Sequence, residues 1–248
     1  MGKALVILSG GQDSTTCLFW AKQAFTEVHA VTFDYGQRHV REIEAARKVA
    51  ELAGVASHEV VTLGPILKGR SPLTNPDEKL EQYDSFEQMD KVIGDRVELT
   101  FVPMRNALFL VLAANRAVCL DCDNLVVGVC EADNANYPDC RESFVTSMQR
   151  TINDALGTAD FLRILAPLLH LPKAASIKLA LTFPGCYAAL AFTHTAYDGS
   201  YPPSGKDHAT VLRAHGFEKA EVQDPLIVRA WREGLMDLPL TKNYDSLR

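Results

Sequence analysis

The sequence has no apolar run approaching the ~20 residues that a membrane-spanning helix needs, so no membrane partner is expected. No secretory leader is expected either: the apolar stretch at residues 4–8 is one strand long and runs into glycines, and a cytoplasmic protein is expected. Basic residues are not in excess. Lys and Arg number 25 against 31 Asp and Glu, for a formal net charge of −6, and no direct nucleic-acid partner is expected from that balance. Cys119 and Cys122 form a C-x-x-C with no second pair to complete a four-ligand zinc site. The six cysteines, in a long chain where no leader is expected, read as free thiols. Internal repeats and low-complexity tracts are absent as well. What is present is an ordinary globular composition, 47 % hydrophobic and 23 % charged over 248 residues, enough for one sizeable core.

The first half alternates strand and helix signals. Strands are expected at residues 4–8, 28–33, 57–62, 125–129 and 163–166. Helices are expected at 15–25, 40–53 and 105–118, the last so apolar that it reads as buried. Serial units of this kind predict an α/β fold, a doubly wound parallel five-stranded sheet covered on both faces. Residues 64–100 break the pattern with charge, Pro and Gly. They read as an insertion, a lid or an oligomer contact, carrying one short helix near 85–92. Residues 1–217 are expected to form the main domain. A small irregular C-terminal segment and a tail at 218–248 are expected to follow.

Leu8, Ser9, Gly10, Gly11, Gln12, Asp13, Ser14 and Thr15 lie where the first strand ends and a helix opens, the place where parallel sheets bind ligands. The glycines let backbone approach an anion, and a helix N-terminus offers unpaired N–H groups. Ser9, Ser14 and Thr15 add hydroxyls. Asp13 would repel a phosphate, so Mg²⁺ is its expected partner. The Gly-Lys-Ser/Thr ending of a Walker loop is missing, as is G-x-G-x-x-G spacing. The segment is similar to the PP-loop of ATP pyrophosphatases, which form adenylates and release pyrophosphate. A plain Ser/Gly turn is the other reading, and six consecutive matching positions weigh against it.

Four further blocks follow: Phe33, Asp34, Tyr35, Gly36, Gln37, Arg38 and His39; Phe101, Val102 and Pro103, then Arg105 and Asn106; Gly128, Val129, Cys130 and Glu131 with Asp133; and Tyr137, Pro138, Asp139, Cys140 and Arg141. Together with the loop they resemble the 7-cyano-7-deazaguanine synthase (QueC) family over roughly residues 3 to 217. The resemblance implies adenylation of the carboxylate of 7-carboxy-7-deazaguanine, amide formation with ammonia, and a second ATP-dependent round giving the nitrile. It implies ATP and Mg²⁺ as cofactors, a deazaguanine substrate and a homodimer. Phe33, Tyr35, Gln37 and Arg38 are then ATP-binding candidates, against the alternative of a strand-exit turn. Arg105 either caps its helix or holds a carboxylate or phosphate bidentately. Arg105, Asn106, Glu131, Asp133, Tyr137, Asp139 and Arg141 are substrate-binding candidates, or ordinary surface groups in the case of Asp133, Asp139 and Arg141. Lys173, in the family's lysine position, either touches phosphate or is a solvated surface lysine. Asp13, Arg105 and Lys173 are the catalytic candidates.

The sequence departs from the family in its second half. The four zinc-binding cysteines align with Ala196, Ser204, Asp207 and Thr210, and no zinc is expected. Met104 stands where glycine usually precedes Arg-Asn, and Ala135 and Asn136 replace Ser-Gly before Tyr137. Leu165, Ala166, Pro172 and Ala175 are further changes. An intact ATP half beside a remodelled acceptor half leads us to expect a changed acceptor: a protein amine such as an N-terminus, in a defence-associated conjugation system. The alternatives are an ordinary synthase using ammonia and a non-catalytic nucleotide-binding scaffold.

Overall fold

Alternation along the first strand sets the layers. In β1 (Lys3–Ile7), Ala4 and Val6 are buried on one side of the sheet, while Leu5 is buried on the other. The computed structural model describes residues 2–38, 41–131 and 136–248. Strands β2 (Glu27–Asp34), β3 (Ser57–Thr62), β4 (Asn124–Val126) and β5 (Arg163–Leu165) join β1 in a five-stranded, all-parallel sheet of order β3-β2-β1-β4-β5. Val6 pairs with Ala30 on one side and Val126 on the other. The strand order reverses at β1, which opens a crevice beyond its C-terminal end.

Helices α1 (Gln12–Ala24) and α2 (Arg41–Ala53) cover the Ala4/Val6 face, as α6 (Lys173–Thr182) and α7 (Cys186–Leu190) do. Helices α4 (Arg105–Cys119) and α5 (Glu142–Ala155) cover the Leu5 face. The expected α/β architecture is present. Helix α4 is not buried throughout: Leu110, Ala113, Ala114 and Ala117 face the sheet, while Val111 is 52 % exposed. Helix α1 starts at Gln12 rather than 15, because Gly11 takes the extended conformation of an N-cap and Thr15 N–H already bonds to its carbonyl. Strand β4 stops at Val126 rather than 129. Beyond it the chain crosses the first turn of α1, where a Cβ on Gly128 would lie 2.9 Å from Ser14 N.

The insertion carries α3 (Phe86–Ile93), N-capped by Ser85. Its Tyr83, Met89 and Ile93 form a small core with Val211 and Leu212 of α8 (His208–Ala220). The expected irregular C-terminal segment is a correction: residues 191–207 are irregular, but α8 and α9 (Pro225–Arg232) follow. Helix α8 is buried on several sides, so it shows no apolar stripe to read. Pro225 looks like a breaker but sits at the first turn of α9, behind the N-cap Asp224. The expected boundary at 217/218 falls inside α8.

Candidate active site

The chain leaves β1 through Leu8 and turns at Ser9, Gly10 and Gly11 into α1. The turn is closed by its own hydroxyls. Ser9 N–H donates to Ser14 Oγ at 3.2 Å, the two serine oxygens lie 3.0 Å apart, and Gly11 N–H donates to Ser9 Oγ at 3.3 Å. Thr15 is fully buried and donates its hydroxyl to the Gly11 carbonyl at 2.8 Å, so it shapes the turn and does not line the cleft. Gly10, at φ 87, is also spent on packing: a Cβ there would lie 2.2 Å from the Glu42 carbonyl oxygen. Leu8, Ser9, Gly11, Gln12, Asp13 and Ser14 do line a cleft of about 310 Å³, at the small end of ligand-site volumes.

Asp13, in the first turn of α1, accepts from Lys173 Nζ at 2.7 Å. The Lys173 side chain is only 9 % exposed, so the solvated-lysine alternative fails. Lys173 opens α6 and passes Gly216 of α8, where a Cβ would come within 2.4 Å of its Cγ. The partner expected for Asp13 was Mg²⁺; here an ammonium holds that carboxylate. A cation suits the position, and an Mg²⁺ bound by Asp13 would take its other ligands from phosphates and water. Among the described residues no three His, Cys, Asp or Glu side chains gather into a metal site.

The facing wall comes from the end of β2 and the start of α4. Phe33 stacks on Phe109 at 4.6 Å between centroids, and Tyr35 meets the same ring edge-on at 5.2 Å. Arg105 and Asn106 stand beside them, with Tyr137. Burial works against the charge on Arg105, but the surrounding Tyr35, Tyr137, Tyr197 and Asp139 outweigh it and raise its pKa. Gln37 also lines the cleft, its side-chain oxygen accepting from Tyr35 N–H at 3.0 Å. Arg38 reaches the cleft, yet its guanidinium donates to the carbonyls of Pro72 and Glu78, each at 3.3 Å. It fastens the insertion.

Three substrate-site candidates are not brought to the cleft. Glu131 is exposed and accepts from Glu142 N–H at 3.3 Å. Arg141 is exposed at the head of α5. Asp139 is buried behind the wall, where burial raises its pKa against the pull of Arg105. His39 and Asp133 lie outside the described residues, as do Val40 and Ala135.

Residues that were not among the site candidates complete the cleft: Glu42, His194, Tyr197, His208 and Leu212. Burial pushes the Glu42 carboxyl up to about 7, with Arg105 opposing. A Glu in a helix's first turn reads as a dipole partner, which conceals such a role. His208 had no signal beyond its place near the departed cysteines.

Residues 3–221 match the family described as queuosine biosynthesis protein QueC. The chain belongs to the QueC family. It is 49 % identical over 229 residues to a 7-cyano-7-deazaguanine synthase of Gloeobacter violaceus, covering 91 % of this chain and 96 % of that one. A second such synthase, from Laribacter hongkongensis, is 43 % identical over 231 residues, covering 91 % and 94 %. Among solved structures, NMN synthetase from Francisella tularensis superposes with a TM-score of 0.43 at 14 % identity, over 96 % of this chain and 79 % of that one. Membership makes the chain an ATP-dependent carbon–nitrogen ligase of the PP-loop class.

Proposed function

We propose that this QueC member is a 7-cyano-7-deazaguanine synthase that uses ammonia. Identities of 49 % and 43 % over nearly the full length of synthases of that name carry the reading. It displaces the expectation of a protein amine as acceptor, which nothing in the fold favours. The enzyme adenylates 7-carboxy-7-deazaguanine, joins ammonia to the activated carbon, and dehydrates the amide with a second ATP.

The residues suit those steps. The N–H groups at the start of α1 and the Lys173 ammonium face the charge that builds as pyrophosphate departs. Arg105, kept cationic, stands ready for the substrate carboxylate. Phe33, Tyr35, Phe109 and Tyr137 give planar rings apolar cover. Mg²⁺, held by Asp13 with the phosphates, would neutralise further charge. Zinc has no role in this reading. Ala196 cannot ligate, and Asp207 and Thr210 bind each other as an N-cap, Thr210 N–H donating to Asp207 Oδ1 at 3.0 Å.

The purified chain with ATP, Mg²⁺, ammonia and 7-carboxy-7-deazaguanine is expected to release AMP, pyrophosphate and the nitrile, read by mass spectrometry. ADP as the main nucleotide, or conversion only when a protein N-terminus is supplied, would sink the reading. Metal analysis of chelator-free protein is expected to find no stoichiometric zinc, and one zinc per chain would refute that point.

A further inference from the structure

His208 is the first residue of α8, directly after the cap Asp207, and it lines the cleft with Leu212 of the same helix. It is 4 % exposed, and its Nε2 is buried with no hydrogen-bond partner among the described residues. A buried polar atom left unmatched is unfavourable by roughly 1–3 kcal/mol, and in a ligand cleft the natural partner is the ligand. Its charged neighbours are Glu98 and Lys173. Burial, helped by Lys173, drives the imidazole pKa down to about 4 against the pull of Glu98. The positive end of α8 acts in the same direction as Lys173. The ring is therefore neutral at working pH.

The reaction also sheds protons at its nitrogen, which calls for a proton acceptor in the cleft. When ammonia attacks the acyl adenylate, its lone pair forms the C–N bond, the C–O bond breaks, AMP leaves with that electron pair, and one N–H proton is shed. In the second round the amide oxygen displaces pyrophosphate from ATP. One N–H proton leaves as the imidate forms, and the other leaves as C≡N forms and AMP departs. Lys173 donates to Asp13 at 2.7 Å, which engages that pair, and Glu42, another acid of the cleft, faces Arg105.

We propose that His208 is a further catalytic residue, the group whose imidazole takes the protons shed by the reacting nitrogen. The inference rests on the amide- and nitrile-forming reading above. Glu98 stabilises the imidazolium while it lasts, and the low basicity of the ring speeds release of the proton to solvent. General-base help is worth about 10²- to 10⁴-fold in rate when the base is matched to the working pH, and a ring this weakly basic stands at the low end, about 10²-fold.

The test separates activation from transfer in the full chain. ATP–pyrophosphate exchange with 7-carboxy-7-deazaguanine reports the adenylate, and amide plus nitrile formation with ammonia reports transfer. His208→Gln and His208→Asn are expected to keep exchange within about 2-fold and to slow transfer by about 100-fold. Hydroxylamine, a stronger nucleophile that is already unprotonated at neutral pH, is expected to restore much of the transfer rate. Transfer unchanged in either variant, or exchange and transfer falling together in both, would overturn the proposal. No exchange by the unaltered chain would instead overturn the functional reading, and the role of His208 with it.

Discussion

At one end of the cleft, the turn between β1 and α1 is closed by Ser9, Gly11, Ser14 and Thr15, hydrogen-bonded to one another within seven residues of chain. At the other end, the chain before and after α8 is closed by Arg213. That guanidinium donates to Asp224 at 2.6 and 2.8 Å, to the hydroxyls of Thr193 and Thr195 at 2.8 Å each, and to the Leu190 carbonyl at 3.2 Å. Both arrangements hold backbone beside the cleft. The first is local and is written in the sequence as a motif. The second ties partners up to 34 residues apart, between Leu190 and Asp224, and leaves no pattern to read. It lies beside the segment where the family resemblance implies a metal clamp, with Thr195 next to Ala196.

The largest expected effect is at the local end. Asp13→Asn is expected to lower AMP and pyrophosphate formation by about 10³-fold, measured by nucleotide chromatography under saturating ATP and Mg²⁺. The ion pair also alters the expectation for folding. A loop carboxylate would ordinarily contribute little, but Asp13→Ala leaves the nearly buried Lys173 ammonium without this partner. Because Asp13 is 25 % exposed, water offsets part of the loss, and about 1–3 kcal/mol of stability is expected to go. A following Lys173→Met change is expected to recover most of it. Unchanged ATP turnover in Asp13→Asn would break the assignment of this end to catalysis.

At the far end the effect is on stability first. Arg213 and Asp224 have side chains 3 % and 4 % exposed, and Asp224 also caps α9 by accepting from Leu226 N–H at 2.9 Å. Arg213→Met is expected to lower unfolding free energy by about 3–5 kcal/mol in urea titrations, because an unpaired carboxylate is left inside. A loss under about 1 kcal/mol would mean that the chain around α8 is held by its apolar contacts alone. The contrast with the first turn would then disappear.

The same division explains what the sequence disclosed. The sheet, its parallel order of units and helices α1, α2 and α4 were legible, because each rests on a local strand or helix period. The phosphate turn was legible for the same reason. The C-terminal helices were not, since α8 is buried on several sides and Pro225 starts a helix instead of ending one. At the site, Asp13, Arg105 and Lys173 line one cleft. Glu42 and His208 were not site candidates, because only the fold sets their burial. Glu131 and Arg141 misled because a motif position at a strand's end does not fix which way a side chain turns.

A smaller effect depends on pH. Glu42 has its pKa raised to about 7 by burial, above its ordinary value of 4.5. A carboxyl that binds its proton more tightly when folded contributes stability that is complete below about 4.5. That contribution is lost as pH rises through about 7. Glu42→Gln keeps the neutral shape, so the difference in melting temperature between variant and parent is expected to grow in the variant's favour from pH 5 to pH 8. Asp207, raised to about 6, contributes a like slope to both proteins and cancels in the difference. A difference that stays flat with pH would show that Glu42 is as well solvated in the folded chain as in the unfolded one.

The smallest expected effect has opposite signs at two residues, both standing where the family resemblance implies glycine. Met104 precedes α4 at φ 66, ψ 2, and Asn136 precedes Tyr137 at φ 56. Both are left-handed, which is the backbone that glycine serves. Met104 is 69 % exposed, so its side chain has little packing to set against a steric penalty of about 1–2 kcal/mol. Glycine there removes the penalty but adds chain entropy to the unfolded state, so Met104→Gly is expected to gain somewhat under 1 kcal/mol. Asn136 differs in two ways. Asparagine tolerates this conformation better, and its Nδ2 donates to the carbonyls of Gly94 and Arg96 at 2.9 and 3.0 Å, tying the insertion to the wall of the cleft. Asn136→Gly gives up both bonds and is expected to lose about 1 kcal/mol. Paired urea titrations read both changes. A common sign would mean that backbone strain alone governs the two positions, and that the side-chain bonds of Asn136 contribute nothing to holding the insertion.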